Sequence, residues 1–135
     1  MALQGITVSG YSHVAIDVTD LAATRAFYQG IFGFEELRRP DFGFPGMWLR
    51  IGDLQLHFSE VKEFASREGG FPHFALHVPT NRFAETMEAI GDAGIPFLGE
   101  PALRVDFGTV EVWQAFITDP SGNVIELTDV GPMVG

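Results

Sequence analysis

The chain has 135 residues and a mass of 14.8 kDa, with 46% hydrophobic and 19% charged residues, which fits one domain or two small modules sharing a core. Eighteen acidic against eight basic residues give a formal charge of −10, which argues against a nucleic-acid or anionic-membrane partner, since both need a basic footprint. The chain has no cysteine, which excludes disulfides, thiolate catalysis and Cys-ligated metal centres. No apolar run approaches the roughly 18–20 residues of a membrane span, and MALQGITVSG lacks the regions of a signal peptide. The expectation is a soluble, cytoplasmic protein with a small-molecule partner.

Residues 12–18, SHVAIDV, are rich in β-branched types and predict a strand. Thr19 and Asp20 are helix N-cap types. The apolar positions Leu21, Ala22, Ala26, Phe27, Gly30 and Ile31 then recur at helical spacing, with Gly33 as the stop. Residues 34–38 predict a strand, and 39–46, RPDFGFPG, a turn-rich loop. Residues 47–51 and 54–59 predict two strands joined by a tight turn at Gly52-Asp53. Residues 60–70 are polar, end in Gly69-Gly70 and supply the linker candidate.

Residues 72–78, PHFALHV, predict another strand, punctuated by Pro79 and Thr80. Helical spacing returns with Phe83, Met87, Ile90 and Ala93 and closes at Gly94 and Pro96. Residues 96–105 read as irregular with one short strand, and 111–118 as a strand that contains Trp113 and Phe116. The cluster DPSGN at 119–123 is a turn, and 124–128 the last strand.

The order strand, helix, about three strands therefore occurs twice. SHVAIDV matches PHFALHV at an offset of 60, and the same offset aligns Phe27 with Met87. The chain divides into a module at 8–60, a linker at 61–70 and a module at 71–130. Each half is too small to bury its sheet alone. The fold class expected is α+β, a curved mixed sheet around a cavity with helices outside, the modules joining within one chain or across a dimer.

The four histidines are His13, His57, His73 and His77. His13 and His73 open the first strand of each half, and His57 and Glu126 lie in the last strand of each. Strand alternation sets Gln55, His57 and Ser59 opposite Leu54, Leu56 and Phe58, and Val124, Glu126 and Thr128 opposite Ile125 and Leu127. His13 and His73 alternate likewise against Val14, Ile16 and Val18 and against Phe74, Leu76 and Val78. All four donors therefore point away from the helix-packed core. Three imidazoles and a carboxylate suit a divalent transition metal: zinc, nickel, iron, manganese or cobalt. His77 has Asp17 as its repeat equivalent and is not expected to be a ligand. If Ile51 pairs with Leu54, Trp48 lies opposite His57 and lines the cavity, and Arg50 lies opposite Gln55, where it could meet an anionic substrate. Trp113 is a second aromatic candidate for that wall.

The repeat, these donor positions and the ending Asp119-Pro120-Ser121-Gly122-Asn123-Val124-Ile125-Glu126 together resemble the vicinal oxygen chelate superfamily of glyoxalases, bleomycin-resistance proteins, fosfomycin-resistance transferases and extradiol dioxygenases. The resemblance covers about residues 8–130. It implies paired βαβββ modules, a homodimer, and a metal bound by residues of two modules. His13, His73 and Glu126 match its three usual ligand positions, and His57 sits where glyoxalases carry a fourth. Glu126, or His57 if displaced, is then the proton-transferring base. Asp17 and Val61 stand where glutathione-using members carry Arg and Asn, which disfavours glutathione. Phe116 stands where extradiol dioxygenases carry Tyr, and no His lies a few residues upstream. A metal-dependent lyase or isomerase of the glyoxalase-like branch is the expected function. The alternatives are an iron(II) dioxygenase using His13, His73 and Glu126, and a metal-free protein that sequesters a drug between Trp48 and Trp113.

Overall fold

Asp20 and Gly33 bound the first helix for reasons local to the chain. The Asp20 carboxylate accepts from the Ala23 amide at 3.0 Å, and Gly33, at φ +69°, turns its own amide back to the Gln29 carbonyl at 3.0 Å. In the computed structural model, which describes residues 3–64, 69–100, 103–106 and 111–130, this helix is α1, Leu21–Phe32, and it follows strand β1, His13–Val18. Strands β2 (Glu35–Leu37), β3 (Gly46–Ile51) and β4 (Leu54–Glu60) complete the first half. The second half runs β5 (His73–His77), a 3₁₀ turn (Thr80–Arg82), α2 (Phe83–Asp92), β6 (Leu103–Asp106), β7 (Glu111–Thr118) and β8 (Val124–Thr128). The 3₁₀ turn had no signal in the sequence beyond Pro79, and β6 is a short strand like the one expected within 96–105, ending one residue beyond it.

Each half builds the same sheet. The strand orders are β1-β4-β3-β2 and β5-β8-β7-β6, with the first strand parallel to the last and the others antiparallel. The α+β architecture of two equivalent mixed sheets with one helix each is the one the repeat predicts. The Gly52-Asp53 turn sets Ile51 opposite Leu54, Arg50 opposite Gln55 and Trp48 opposite His57.

One core serves both sheets. Leu49, Leu56, Phe58 and Tyr28 from the first half join Met87, Ile90, Ile117, Ile125 and Leu127 from the second. Each such side chain contributes about 1.5–3 kcal/mol when fully removed from water, so the halves stabilise each other through this shared interior. The seam is closed by the turn after β7. Asp119 accepts from the Ser121 and Asn123 amides at 2.9 Å each, and its second oxygen accepts from the Tyr28 hydroxyl at 3.0 Å. The Asn123 side-chain amide donates to the Asp17 carbonyl at 2.9 Å. The two sheets therefore meet through a turn and the core. No ladder joins them among the described residues, and β1 and β5 remain edge strands.

Candidate metal centre

The parity of the strands delivers the four donors to open faces, and neighbouring side chains then fix their orientation. In the second half, β5 lies beside β8 with Ala75 opposite Glu126. His73 Nδ1 is 2.7 Å from the Phe71 carbonyl, which can only accept, so Nδ1 carries a proton and donates it there. His73 Nε2 then faces Glu126 Oε1 at 3.1 Å. Glu126 is 9% exposed, and its other oxygen accepts from Gln114 Nε2 at 3.4 Å. Phe116, opposite Glu126 in the ladder, closes the pair from the side, its ring edge-on to His73 at 5.9 Å and against Phe71 at 5.4 Å.

In the first half, three rings form a stack. His57 lies on His13 at 4.0 Å and 17°, and on Trp48 at 4.1 Å and 6°. Phe42 meets the stack through Trp48 at 5.9 Å. His57 Nε2 is 2.8 Å from Gln55 Oε1, which makes it the protonated nitrogen and leaves Nδ1 with the lone pair. Ser12 Oγ lies 3.0 Å from His13 Nδ1. Burial holds the His57 imidazole below the ordinary histidine range, and the charges of His13 and Arg39 add to the effect.

The donors thus form two pairs, His13 with His57 and His73 with Glu126. Among the described residues no group of three or more His, Asp or Glu stands close enough to hold one ion. A groove of about 520 Å³ runs between β1 and β5, lined by Ala15, Asp17 and Ser59 on one side and His73, Phe74 and Val124 on the other. His77 lies apart, in an apolar crevice with Phe34 and Leu54.

Two of the residues expected to bind substrate are placed otherwise. Trp113 shares its strand parity with Ala115 and Ile117, both fully buried, and its ring packs on Phe83 of α2 at 5.9 Å. It belongs to the helix-facing row, and Phe116, one row over, is the aromatic residue beside Glu126. Arg50 has the expected register, but its guanidinium is turned to Glu35 across the ladder at 3.0 Å. Trp48 lies beside His57 as expected, with His57 on one side and Phe42 on the other. Gln55, Gln114 and Phe71 were not singled out in the sequence. Gln55 could have been, because it alternates with His57 on the same strand face.

Comparison with known proteins accords with this geometry. The profile of the Glyoxalase/Bleomycin resistance protein/Dioxygenase superfamily matches residues 10–127, and the chain belongs to that superfamily. A protein of Brassica oleracea var. gemmifera named putative lactoylglutathione lyase is 31% identical over 90% of this chain, which spans 45% of that protein's length. Glyoxylase I 4 of Arabidopsis thaliana is 26% identical over 95% of this chain and 78% of its own. Among solved structures, the fosfomycin resistance protein FosX of Listeria monocytogenes superposes with a TM-score of 0.73 at 24% identity, over 94% of this chain and 97% of its own. A mutant of that protein, solved with manganese(II) and 1S,2S-dihydroxypropylphosphonic acid, gives 0.72 at 24% identity over 94% of each chain. At these identities the structural likeness establishes the fold. No helix among the described residues is long and apolar enough to cross a membrane.

Proposed function

We propose that this chain is a metal-dependent enzyme of the glyoxalase-like branch, of lyase or isomerase type, acting on a small substrate that offers adjacent oxygen atoms. The observation that carries this reading is the His73–Glu126 pair. With the Nδ1 proton committed to Phe71, Nε2 is left facing a carboxylate oxygen at 3.1 Å. The carboxylate calls for a positive charge at Nε2, which an imidazolium proton or a shared metal ion supplies. Ligands held at about 2.0–2.2 Å from one ion, tetrahedral or octahedral, stand roughly 3 Å apart, so the spacing suits a shared divalent metal. The Phe71 carbonyl also orients the ring, as outer partners of metal-bound histidines do. An ion there supplies Lewis-acid polarisation of a substrate oxygen.

His13 completes the ligand set we propose, and a second copy of the chain brings it. The two pairs stand apart within one chain, both edge strands are open, and Leu3, Ile6, Val8, Tyr11 and Val14 are exposed before and along β1. A homodimer in which the His13–His57 pair of one copy faces the His73–Glu126 pair of the other unites the donors and covers this apolar surface. Glu126, buried and held by Gln114, is the proton-transferring base. His57, whose Nδ1 keeps its lone pair while Gln55 holds Nε2, is a fourth donor or second base. Asp17 is exposed beside the groove and would repel a glutathione carboxylate, which disfavours a glutathione adduct as substrate. Phe116 offers no proton beside Glu126, which disfavours the dioxygenase reading, and the packing of Trp113 on Phe83 disfavours a drug site between the two tryptophans.

Elemental mass spectrometry on untagged protein tests the reading. Near-stoichiometric divalent metal in the wild type, lost in His73→Ala and Glu126→Ala, is the expected result. A wild type that takes up no zinc, nickel, manganese, cobalt or anaerobic iron(II) contradicts it.

A further inference from the structure

Arg39 is held in an unusual way for a cation in this chain. Its Cζ lies 4.9 Å from the ring centres of both Phe42 and Phe44, whose rings are 6.1 Å apart. The guanidinium also crosses directly over Gly46. A Cβ at that glycine would stand 2.8 Å from Arg39 Cζ and Nε, and would collide with the Phe58 carbonyl. Glycine at position 46 is therefore what leaves room for the arginine. Gly46 shares its strand face with Trp48, and it pairs with Ser59, which shares its own with His57. Arg39 thus belongs to the same open face as the His13–His57–Trp48 stack, which it joins through Phe42.

The other half of the observation is electrostatic. Arg25, Arg50 and Arg82 are each matched to a glutamate, Glu36, Glu35 and Glu85. Arg39 makes no ion pair among the described residues, although the chain carries a net −10 and the residue is half-buried. Arg38 and Lys62, also without an ion pair among the described residues, are exposed to water. Aromatic rings stabilise a guanidinium without forming hydrogen bonds to its N–H groups, and those groups are the part that matches an oxyanion with two parallel hydrogen bonds. In a chain rich in acids, a half-buried cation with no ion pair among the described residues, beside the candidate site, has a fork ready for a ligand's charge.

We propose that Arg39, resting against Phe42 and Phe44 over Gly46, binds the charged end of the substrate, and that the substrate is therefore a small oxyanion, a carboxylate or a phosphonate. This rests on the open face being the substrate site, as argued above. The acid docks at the loop end of the face while its other oxygens reach toward the histidines. Arg39 is the specificity-determining residue in this assignment and takes no part in proton transfer.

The test uses full-length, chelator-treated protein at constant ionic strength. Benzoate, phenylphosphonate and the neutral benzamide are titrated in the millimolar range while the two indole N–H signals are followed by NMR. The expected result is that at least one acid shifts the Trp48 signal, that benzamide does not, and that the tighter of the two acids names the oxyanion. Arg39→Met, which keeps an apolar chain against the rings, should weaken acid binding about tenfold or more, as loss of a charge-assisted pair does. Arg39→Lys, which keeps the charge but not the fork, should weaken it less. Arg50→Ala should leave it unchanged. Acid binding that survives in both Arg39 variants, or no response of Trp48 to either acid, overturns the proposal. Metal content of the same variants separates the two readings. Metal retained without acid binding sinks this assignment alone, and acid binding in a chain that never takes up metal sinks the metalloenzyme reading alone.

Discussion

Asp119→Ala removes the acceptor of four hydrogen bonds at once: those from the Tyr28 hydroxyl, the Ser121 and Asn123 amides, and the Asn123 side chain. Tyr28 is fully buried, and Asp119 and Asn123 are each 4% exposed, so water reaches little of what is left unpaired. Each orphaned buried donor costs about 1–3 kcal/mol. With the Ser121 amide rehydrated, the loss should be about 3–5 kcal/mol. Tyr28→Phe is milder because Asp119 keeps its other three donors, and it should cost about 1 kcal/mol. In urea, with a slope near 2 kcal/mol/M, the midpoints should fall by about 2 M and about 0.5 M. The same pair sets an alkaline limit. Burial, then the Asp119 charge, then the hydrogen bond push the Tyr28 phenol far above its ordinary 10.0. A group whose folded value is raised contributes stability that is complete below the unfolded value and is lost as pH climbs past it. Wild-type stability should therefore decline above about pH 10, and Tyr28→Phe should decline less. If Asp119→Ala proves no more destabilising than Tyr28→Phe, the turn is not the seam between the halves.

Other expectations follow from single positions. Gly33→Ala should cost about 1 kcal/mol, because φ is +69° although nothing lies within 4 Å, whereas Gly30→Ala, in the same helix with equally open space, should stabilise by about 0.5–1 kcal/mol; thermal melts of both give the signs. His57 should titrate in NMR below 6.5, and Arg39→Met should move it up. A lowered folded value contributes stability that is present above 6.5 and lost as pH falls through the folded midpoint, so His57→Gln should flatten that acid limb. Arg50→Ala should change stability by no more than about 0.5 kcal/mol, because its pair with Glu35 is 55% and 66% exposed.

The parts of this arrangement that the sequence revealed are those governed by local rules. The two-residue turn at Gly52-Asp53 permits one register, and that register alone brings Trp48 against His57. The offset of the repeat placed His13 and His73 at matching strand starts, and the DPSGN cluster marked the turn before Glu126. Trp113 was misread because Val112, Ala115 and Ile117 are all buried, so the pattern of β7 does not reveal its faces. The pairing of Phe116 with Glu126 decides the matter, and that is a long-range fact. Arg39 was invisible for a different reason. It lies in a loop without periodicity, and its place depends on Phe42, Phe44 and the missing side chain of Gly46 meeting in space. Spacing along the chain also carries no information on whether two donor pairs face each other within one molecule or between two.

The most direct test of the account is therefore complementation between copies. His13→Ala and Glu126→Ala are co-expressed in equal amounts, and bound metal is measured after chelator washing against each variant alone. If His13 of one copy joins His73 and Glu126 of another, mixed dimers carry one intact site of two, and random pairing should restore about one quarter of the wild-type metal per chain. Recovery no greater than that of the separate variants would contradict a centre shared between two copies.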